Sequence, residues 1–259
     1  MTDPAAAGAG PAPTALLSRA EREALAEDVE LLARLADREL DAELIRRLRG
    51  APPADWFALD LAGAEFEAVS VHVVEGLAAI GDPPTPADLD ELAADFAAIF
   101  LTHGYNAAPT ESVWRDEDGL ERQDAMFLVR DWYARHGVKA ADWRKRSDDH
   151  LVSELEFLAL LLRRARDEAG LRAAATFLRD HPLVWAPRFA DRVAARCQLQ
   201  VYAGSVLLTA VYLEQLGRLL GPLAGLDMTP PPLILAKPKA PQGPDCNTPR
   251  NTQFNGPGW

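Results

Sequence analysis

The stretch SDDHLVSELEFLALLL, residues 147–162, decides the fold. It opens with two carboxylates and a histidine, and its last six residues carry no charge. Leu151, Leu155, Leu158 and Leu162 recur at steps of three and four residues, as one face of an α-helix requires. The final FLALLL is apolar on every face, which is typical of a helix at the centre of a domain. The stretch therefore predicts a buried central helix.

The start of this helix has two interpretations. As the N-cap, Asp149 would accept a hydrogen bond from a free backbone N–H of the first turn, and His150 would be the first helical residue. Asp is common at helix starts, so capping alone is one hypothesis. The other is that Asp148, Asp149 and His150 belong to a binding site. We expect three polar residues to mark the solvent side of the first two turns: Ser153, Glu154 and Glu156.

The composition restricts the kinds of partner. The 259 residues allow one large domain or two small ones, and 48% hydrophobic residues can form a substantial core. Acidic residues outnumber basic ones by 39 to 27, so the formal net charge is −12. Non-specific nucleic-acid binding needs a basic face, so we expect no nucleic-acid partner. The charge favours a partner that is itself cationic.

The cysteine positions and the lack of a long apolar run favour a reducing cellular compartment without membrane insertion. Cys197 and Cys246 are far apart and neither lies in a CxxC motif, so we expect no disulfide framework and no structural zinc site. The first twenty residues have no basic region followed by an apolar one, and no run of about 18 apolar residues occurs. We expect a cytoplasmic protein without membrane insertion.

Helical periodicity dominates the chain, and period-two alternation is almost absent. We expect nine helices: one from about residue 16 and others at about 40–48, 62–80, 87–101, 120–135, 149–168, 171–180, 183–196 and 198–219. Thr85 and Pro86 form an N-cap and a first helical position, and Gly50 is a stop signal. The stretch 102–119 breaks the period and is predicted to be a long loop. The fold class is all-α.

The two ends of the chain differ from the middle. Residues 1–13 are mostly Ala, Gly and Pro and are predicted to be disordered. Residues 14–220 are predicted to form a single helical domain. Nine of the 20 prolines lie in the last 39 residues, so residues 221–259 are predicted to be an extended arm rather than a bundle helix.

Two further stretches are candidates for function. In TESVWRDEDG, residues 110–119, Trp114 is either a lid over the core or a ligand contact, and the long loop itself favours function. In FLRDHPLVWAPRFADRV, residues 177–193, Trp185 and Phe189 share one helix face, and core packing is the favoured interpretation. The sequence DEDG lacks the ligand spacing of a calcium loop.

Catalytic and metal motifs are not found. There is no Gly-x-Ser-x-Gly, no phosphate loop and no HExxH. His150 and Glu154 could supply two metal ligands one turn apart, but nothing nominates the others, so we expect no metal and no cofactor. A hydrolase with His150 as its base stays the least favoured hypothesis, because no nucleophile accompanies it.

Taken together, the three stretches resemble the TorD/DmsD/NarJ family of chaperones. The resemblance lies in FAAIFLTHGYNAAPTESVWRD, SDDHLVSELEFLALLL and FLRDHPLVWAPRFADRV, which occur in the family's order within about residues 16–220. It implies an all-helical, non-catalytic chaperone in the cytoplasm. Its partner would be the apo catalytic subunit of a molybdopterin oxidoreductase of the DMSO-reductase type, bound at the twin-arginine signal peptide until the cofactor is inserted.

The resemblance also implies site residues. The pair implicated in signal recognition matches Asp149 and His150. The loop motif matches Glu111, Ser112, Val113 and Trp114, and the third motif matches His181, Trp185 and Phe189. A cationic leader with an apolar body needs acids beside an apolar groove, and we expect Asp148, Asp149 and Glu111 to supply them. An assembly factor for a molybdoenzyme that is not exported, as in nitrate-reductase-type relatives, is the alternative. Nucleotide binding is not predicted.

Overall fold

The computed structural model describes residues 16–141, 144 and 146–234. This part contains ten α-helices and no β-strand, which confirms the all-α class. The helices are α1 (Arg19–Asp37), α2 (Ala42–Arg49), α3 (Ala64–Ala79), α4 (Pro86–Phe96), α5 (Glu111–Arg115), α6 (Asp124–Arg135), α7 (Leu151–Arg164), α8 (Glu168–Asp180), α9 (Pro182–Ala194) and α10 (Gln200–Ala224). A 3₁₀ turn (Pro53–Trp56) follows α2, and a π-helical turn (Ala97–Leu101) continues α4.

Several helix ends follow local sequence signals. The Thr85 hydroxyl accepts the Asp88 N–H and the Asp88 carboxylate accepts the Thr85 N–H, so the predicted N-cap of α4 is confirmed. Gly50 is the C-cap of α2, also as predicted. Ser18 starts α1 with the same reciprocal arrangement. Each such cap is worth about 1 kcal/mol.

α7 and α10 form the centre of the bundle. α7 packs against α1 and α8, and α10 packs against α3, α8 and α9. The predicted apolar stripe of α7 is fully buried. Trp185 and Phe189 on α9 are also buried, so the core-packing interpretation of that aromatic face is confirmed.

Other boundaries were predicted wrongly. The predicted loop 102–119 contains α5, which accounts for ten helices where nine were expected. α7 ends at Arg164, earlier than predicted. Asp167 then caps α8 by accepting the Gly170 N–H, and α8 begins at Glu168, three residues before its predicted start. α10 continues to Ala224 with Pro222 in its last turn, although residues from 221 onward were expected to be extended. A proline so near a helix end removes a single hydrogen bond.

The expectations for the two chain ends stay predictions. Residues 1–15 and 235–259 lie outside the described part, so the disorder of residues 1–13 and most of the extended arm are not tested. The nine described residues 226–234 follow α10 without regular structure. Among the helices of the described part, none combines the length and apolar character needed to cross a membrane.

Two glycines allow α3 and α10 to touch at the backbone. A Cβ on Gly76 would lie 2.3 Å from the backbone nitrogen of Val201, and one on Gly204 would lie 2.8 Å from that of Val73. Real Cβ atoms do not approach backbone atoms so closely, so any larger residue would force the helices apart.

We therefore predict that Gly76→Ala and Gly204→Ala each lower the free energy of unfolding by about 1–3 kcal/mol, the usual range for overpacking. Urea denaturation measures the change. Gly104→Ala is the matched control, because its Cβ would meet nothing closer than 3.5 Å. Unchanged midpoints for both helix variants would show that the two helices do not need this close approach.

Candidate functional site

The backbone joins the start of α5 to the start of α7. The Glu111 N–H donates to the Asp149 carbonyl at 2.9 Å, and the Leu151 N–H donates to the Pro109 carbonyl at 2.9 Å. Between them, Thr110 and His150 form an isolated antiparallel bridge. The two sequence stretches that suggested function are therefore neighbours in space.

Asp149 links the two helices rather than capping one. Its carboxylate accepts hydrogen bonds from the Ser112 N–H at 2.7 Å, from the Ser112 hydroxyl and from the Ser147 hydroxyl. The side chain is 0% exposed, and burial raises its pKa while these hydrogen bonds oppose the shift. The predicted N-cap role of Asp149 is wrong, because its carboxylate points to α5.

His150 is the N-cap of α7. Its Nδ1 accepts the Val152 N–H at 3.2 Å, which fixes the ring with Nδ1 unprotonated. Burial, and secondarily the nearby Arg146 and His103, lower the pKa of His150 to about 3. The imidazole is therefore neutral at physiological pH. His150 was expected to be the first residue of α7, but it precedes that residue as the N-cap.

Glu111 connects α5 to the α8–α9 junction. Its Oε1 accepts from Arg115 Nη1 at 2.6 Å and its Oε2 lies 2.9 Å from His181 Nδ1. All three side chains are buried. The Arg115 guanidinium also donates to the Asp180 carbonyl at 3.0 Å. The predicted site residues Glu111 and His181 are thus direct partners inside the protein.

Glu154 is a residue whose burial the sequence analysis did not predict. It was expected on the solvent side of α7, but it is 0% exposed and accepts the Trp185 Nε1–H at 3.0 Å. Burial, and then the carboxylates of Glu111 and Asp149, raise its pKa well above the ordinary value. Ser153 is buried too, whereas Glu156 is exposed as predicted. The available signal was spacing, since Glu154 lies three residues after Leu151 and four before Leu158 on the buried stripe.

Asp148 and Trp114 have separate contacts. The Asp148 carboxylate accepts from Arg130 Nε at 2.6 Å, and its carbonyl accepts the Tyr133 hydroxyl at 2.7 Å, so it faces α6. Trp114 donates from Nε1 to the Ala108 carbonyl at 2.8 Å and packs edge-on against Phe189. The tryptophan covers the core, as the lid interpretation predicts.

A cleft of about 450 Å³ opens beside His150. We call it the His150 cleft. Phe96, Phe100 and Leu101 supply an apolar wall, and His150 also lines the cleft, with 9% of the residue exposed. Two pairs of ionisable side chains lie in its walls: Asp37 bonds Arg146, and Glu121 lies 3.2 Å from His103. Arg122 lines the cleft as well.

Of the eight predicted site residues, only His150 lines this cleft. Glu111, Ser112, Asp149, His181 and Trp185 are buried instead. Hydrogen bonds join Ser112 to Asp149, Glu111 to His181, and Trp185 to Glu154. Asp149 and Glu111 are buried and hydrogen-bonded inside the protein, so they do not line the cleft. Asp148 lines a separate cleft beside Tyr133 and Val138. The acids that line the His150 cleft are Asp37 and Glu121. Across residues 16–141, 144 and 146–234, no three His, Cys, Asp or Glu side chains are grouped to hold a metal ion.

Comparison with known proteins gives consistent matches. A family model described as nitrate reductase delta subunit matches residues 66–191. The chaperone protein TorD of Vibrio cholerae is 32% identical over 152 residues, which are 56% of this chain and 68% of that protein. TorD of Psychrobacter is 28% identical over 191 residues, covering 71% and 85%. TorD of Actinobacillus pleuropneumoniae is 30% identical over 161 residues, covering 62% and 77%.

We predict that Glu154→Gln removes a pH-dependent loss of stability. The pKa of Glu154 is higher in the folded protein than in the unfolded chain, so the unfolded chain loses this proton at a lower pH. The free energy of unfolding therefore falls as the pH rises above about 4.5. Gln mimics the protonated acid and keeps an oxygen for Trp185. The free energy of unfolding at pH 5 and pH 8 should therefore differ less in this variant than in the parent, with the exposed Glu91→Gln as control.

Glu154→Ala leaves Trp185 Nε1 unpaired and should cost about 1–3 kcal/mol.

We also predict that Asp149→Ala loosens α5. It removes the acceptor for the Ser112 N–H and for two hydroxyls, at about 1–3 kcal/mol for each buried donor left unpaired. Hydrogen exchange of the α5 amides should accelerate, while Asp149→Asn, which retains one acceptor oxygen, should change it less. Equal exchange in the parent and the Ala variant would contradict the linking role.

Proposed function

We propose that this chain, which belongs to the TorD family of redox-enzyme maturation chaperones, binds the twin-arginine N-terminal region of an apo molybdopterin oxidoreductase subunit. Members of the family are chaperones rather than enzymes, and they work with molybdoenzyme subunits. The client would be of the DMSO-reductase type, and binding would delay export until the molybdenum cofactor is inserted. Because this happens before export, we place the chaperone in the cytoplasm. It holds no cofactor of its own.

The His150 cleft is the observation that carries this proposal. A twin-arginine leader has a cationic head followed by an apolar body, and the cleft has both matching surfaces. Asp37 and Glu121 can accept a client guanidinium, and the wall formed by Phe96, Phe100 and Leu101 can accept an apolar side chain. The chain's net charge of −12 would attract such a leader from a distance.

Client arginines would replace partners that the cleft already contains. Asp37 is paired with Arg146, and Glu121 with His103. Exchanging the Asp37–Arg146 ion pair for a similar one changes the free energy little, so we expect the apolar contacts to supply much of the affinity and the charges to supply selectivity. Binding should weaken as the salt concentration rises.

The predicted site residues would then have two kinds of role. His150 would contact the client through its neutral ring. Asp149, Ser112, Glu111, His181 and Trp185 would be positioning residues, since they hold α5 and the start of α7 from below. Asp148 would position the same turn from the α6 side, and Trp114 would close the core behind α5.

An assembly factor for a molybdoenzyme that is not exported is the second candidate. The observation that favours it is the matching family model, which is described as nitrate reductase delta subunit. Such a factor would bind a client without paired arginines. Mass spectrometry of the proteins that co-purify with this chain would reveal which client is present. The hydrolase hypothesis is set aside, because the relatives are named chaperones.

A synthetic peptide with paired arginines followed by an apolar stretch tests the main proposal. We predict that it binds this protein, and that replacing both arginines with alanine weakens binding at least about tenfold, which corresponds to about 1.4 kcal/mol. Isothermal titration calorimetry measures both peptides. Equal affinities for the two peptides would refute recognition of the cationic head.

Two variants locate the binding site. Glu121→Gln should weaken binding about two- to fivefold, the range for one partly exposed ion pair, while Glu91→Gln on the exposed face of α4 should not. His150→Asn keeps a side chain able to cap α7 but removes the ring from the cleft. If His150→Asn is stable and binds the peptide as tightly as the parent, His150 does not contact the client.

A further inference from the structure

The His150 cleft contains a cation that the protein leaves without a partner. The two acids of the lining are each paired with another residue of the cleft wall. Arg122 lines the same cleft, but across residues 16–141, 144 and 146–234 no carboxylate or carbonyl accepts a hydrogen bond from its guanidinium. Its side chain is exposed at the mouth of the cleft, so it is available to a ligand.

The turn that carries Arg122 is fixed by hydrogen bonds on both sides. The Gln123 N–H donates to the Ser112 hydroxyl at 3.1 Å, and the Gln123 side-chain amide donates to the Glu121 carbonyl at 2.8 Å. Ser112 is itself bonded to the buried Asp149 carboxylate. Arg122 lies between these anchors with a φ of 58°, a left-handed conformation that side chains other than Asn and Asp rarely adopt. The buried hydrogen bonds therefore fix the backbone position of this cation at the cleft.

The charges of the cleft lining balance one another. Asp37 and Glu121 contribute two negative charges, and Arg146 and Arg122 contribute two positive ones. His150 is neutral at physiological pH, because burial lowers its pKa to about 3. The second histidine of the lining can only add positive charge. A leader with paired arginines would therefore bring two positive charges to a lining that has no excess of negative charge.

A carboxylate on the client would restore the balance. A guanidinium pairs well with a carboxylate, because its parallel N–H donors match the two oxygens. A free phosphate suits the lining less well, since it would bring up to about two negative charges close to Asp37 and Glu121. Glu121 and Arg122 are neighbours in the chain, with Cα atoms about 3.8 Å apart. The acid of the client would therefore lie within about three residues of an arginine that reaches Glu121.

We propose that Arg122 makes the His150 cleft selective for a leader that carries a carboxylate within about three residues of its paired arginines. This inference rests on the proposed function, because it names a further feature of the client that binds the same cleft. A leader with paired arginines and no nearby acid would leave Arg122 facing cations, and it would bind more weakly. The acid thus adds a second criterion to the arginine pair.

Two synthetic peptides test the inference. Both carry paired arginines followed by an apolar stretch, and they differ only in a glutamate or a glutamine two residues before the arginines. We expect the full chain to bind the glutamate peptide about two- to fivefold more tightly at low salt, the range for one partly exposed ion pair. The net charge of −12 by itself would favour the glutamine peptide, so the predicted order requires a local cation. Isothermal titration calorimetry measures both affinities, and high salt should reduce the difference.

Variants of the protein assign the preference to one residue. In Arg122→Gln the two peptides should bind equally, whereas Arg122→Lys keeps the positive charge and should retain most of the preference. Neither substitution should alter the fold, because the side chain of Arg122 is exposed. Arg166→Gln is the matched control. Arg166 is also exposed, follows the other end of α7 and does not line the cleft, so this variant should keep the full preference.

The outcomes separate this inference from the proposed function. If the parent protein binds both peptides equally, or binds the glutamine peptide more tightly, the inference is overturned and the proposed function stands. A preference for glutamate that persists in Arg122→Gln also overturns the inference, because another residue would then recognise the acid. If neither peptide binds the parent protein, the proposed function and this inference fail together.

Discussion

The hydrogen bonds of the buried Asp149 carboxylate hold the candidate site together. One side chain bonds the backbone and hydroxyl of Ser112 and the hydroxyl of Ser147, and so joins the start of α5 to the turn before α7. A helix of five residues is not stable by itself, so α5 depends on its attachments. Asp149 holds its beginning and Arg115 its end.

Asp149, Glu111 and Glu154 are buried carboxylates of this region that are stabilised in three different ways. Asp149 is surrounded by neutral hydrogen-bond donors, Glu111 is paired with Arg115 and lies against His181, and Glu154 has a raised pKa that favours its protonated form. A buried carboxylate without such a partner would cost several kcal/mol. The network therefore fixes the start of α5 against the start of α7. In the proposed function, recognition of a charged partner would fall to the partly exposed acids Asp37 and Glu121.

The His150 cleft is a surface whose charges are already paired. Asp37 and Glu121 each have an internal partner, so the cleft is not a concentrated negative site. A ligand must offer a better arrangement than the internal one, which favours selectivity over raw affinity.

Much of the fold could be predicted because the signals for it are local. The spacing of leucines in α7, the Thr85–Pro86 cap and the Gly50 stop act within a few residues and decide helices wherever the chain is placed. The same local reasoning could not identify α5, which exists through contacts with residues about forty positions away, or the last turn of α10, which contains a proline that isolated propensity disfavours.

For the candidate site, the sequence by itself identified residues that lie close together in the fold, but not what each of them contacts. It placed Glu111, Asp149, His150 and His181 in motifs that the tertiary structure does bring together. Only the tertiary structure decided that His150 caps α7, that Glu154 is buried, and that Asp37 and Glu121 are the acids of the cleft. The physical reason is that periodicity identifies a helix face, whereas burial and charge pairing depend on which other segments cover that face.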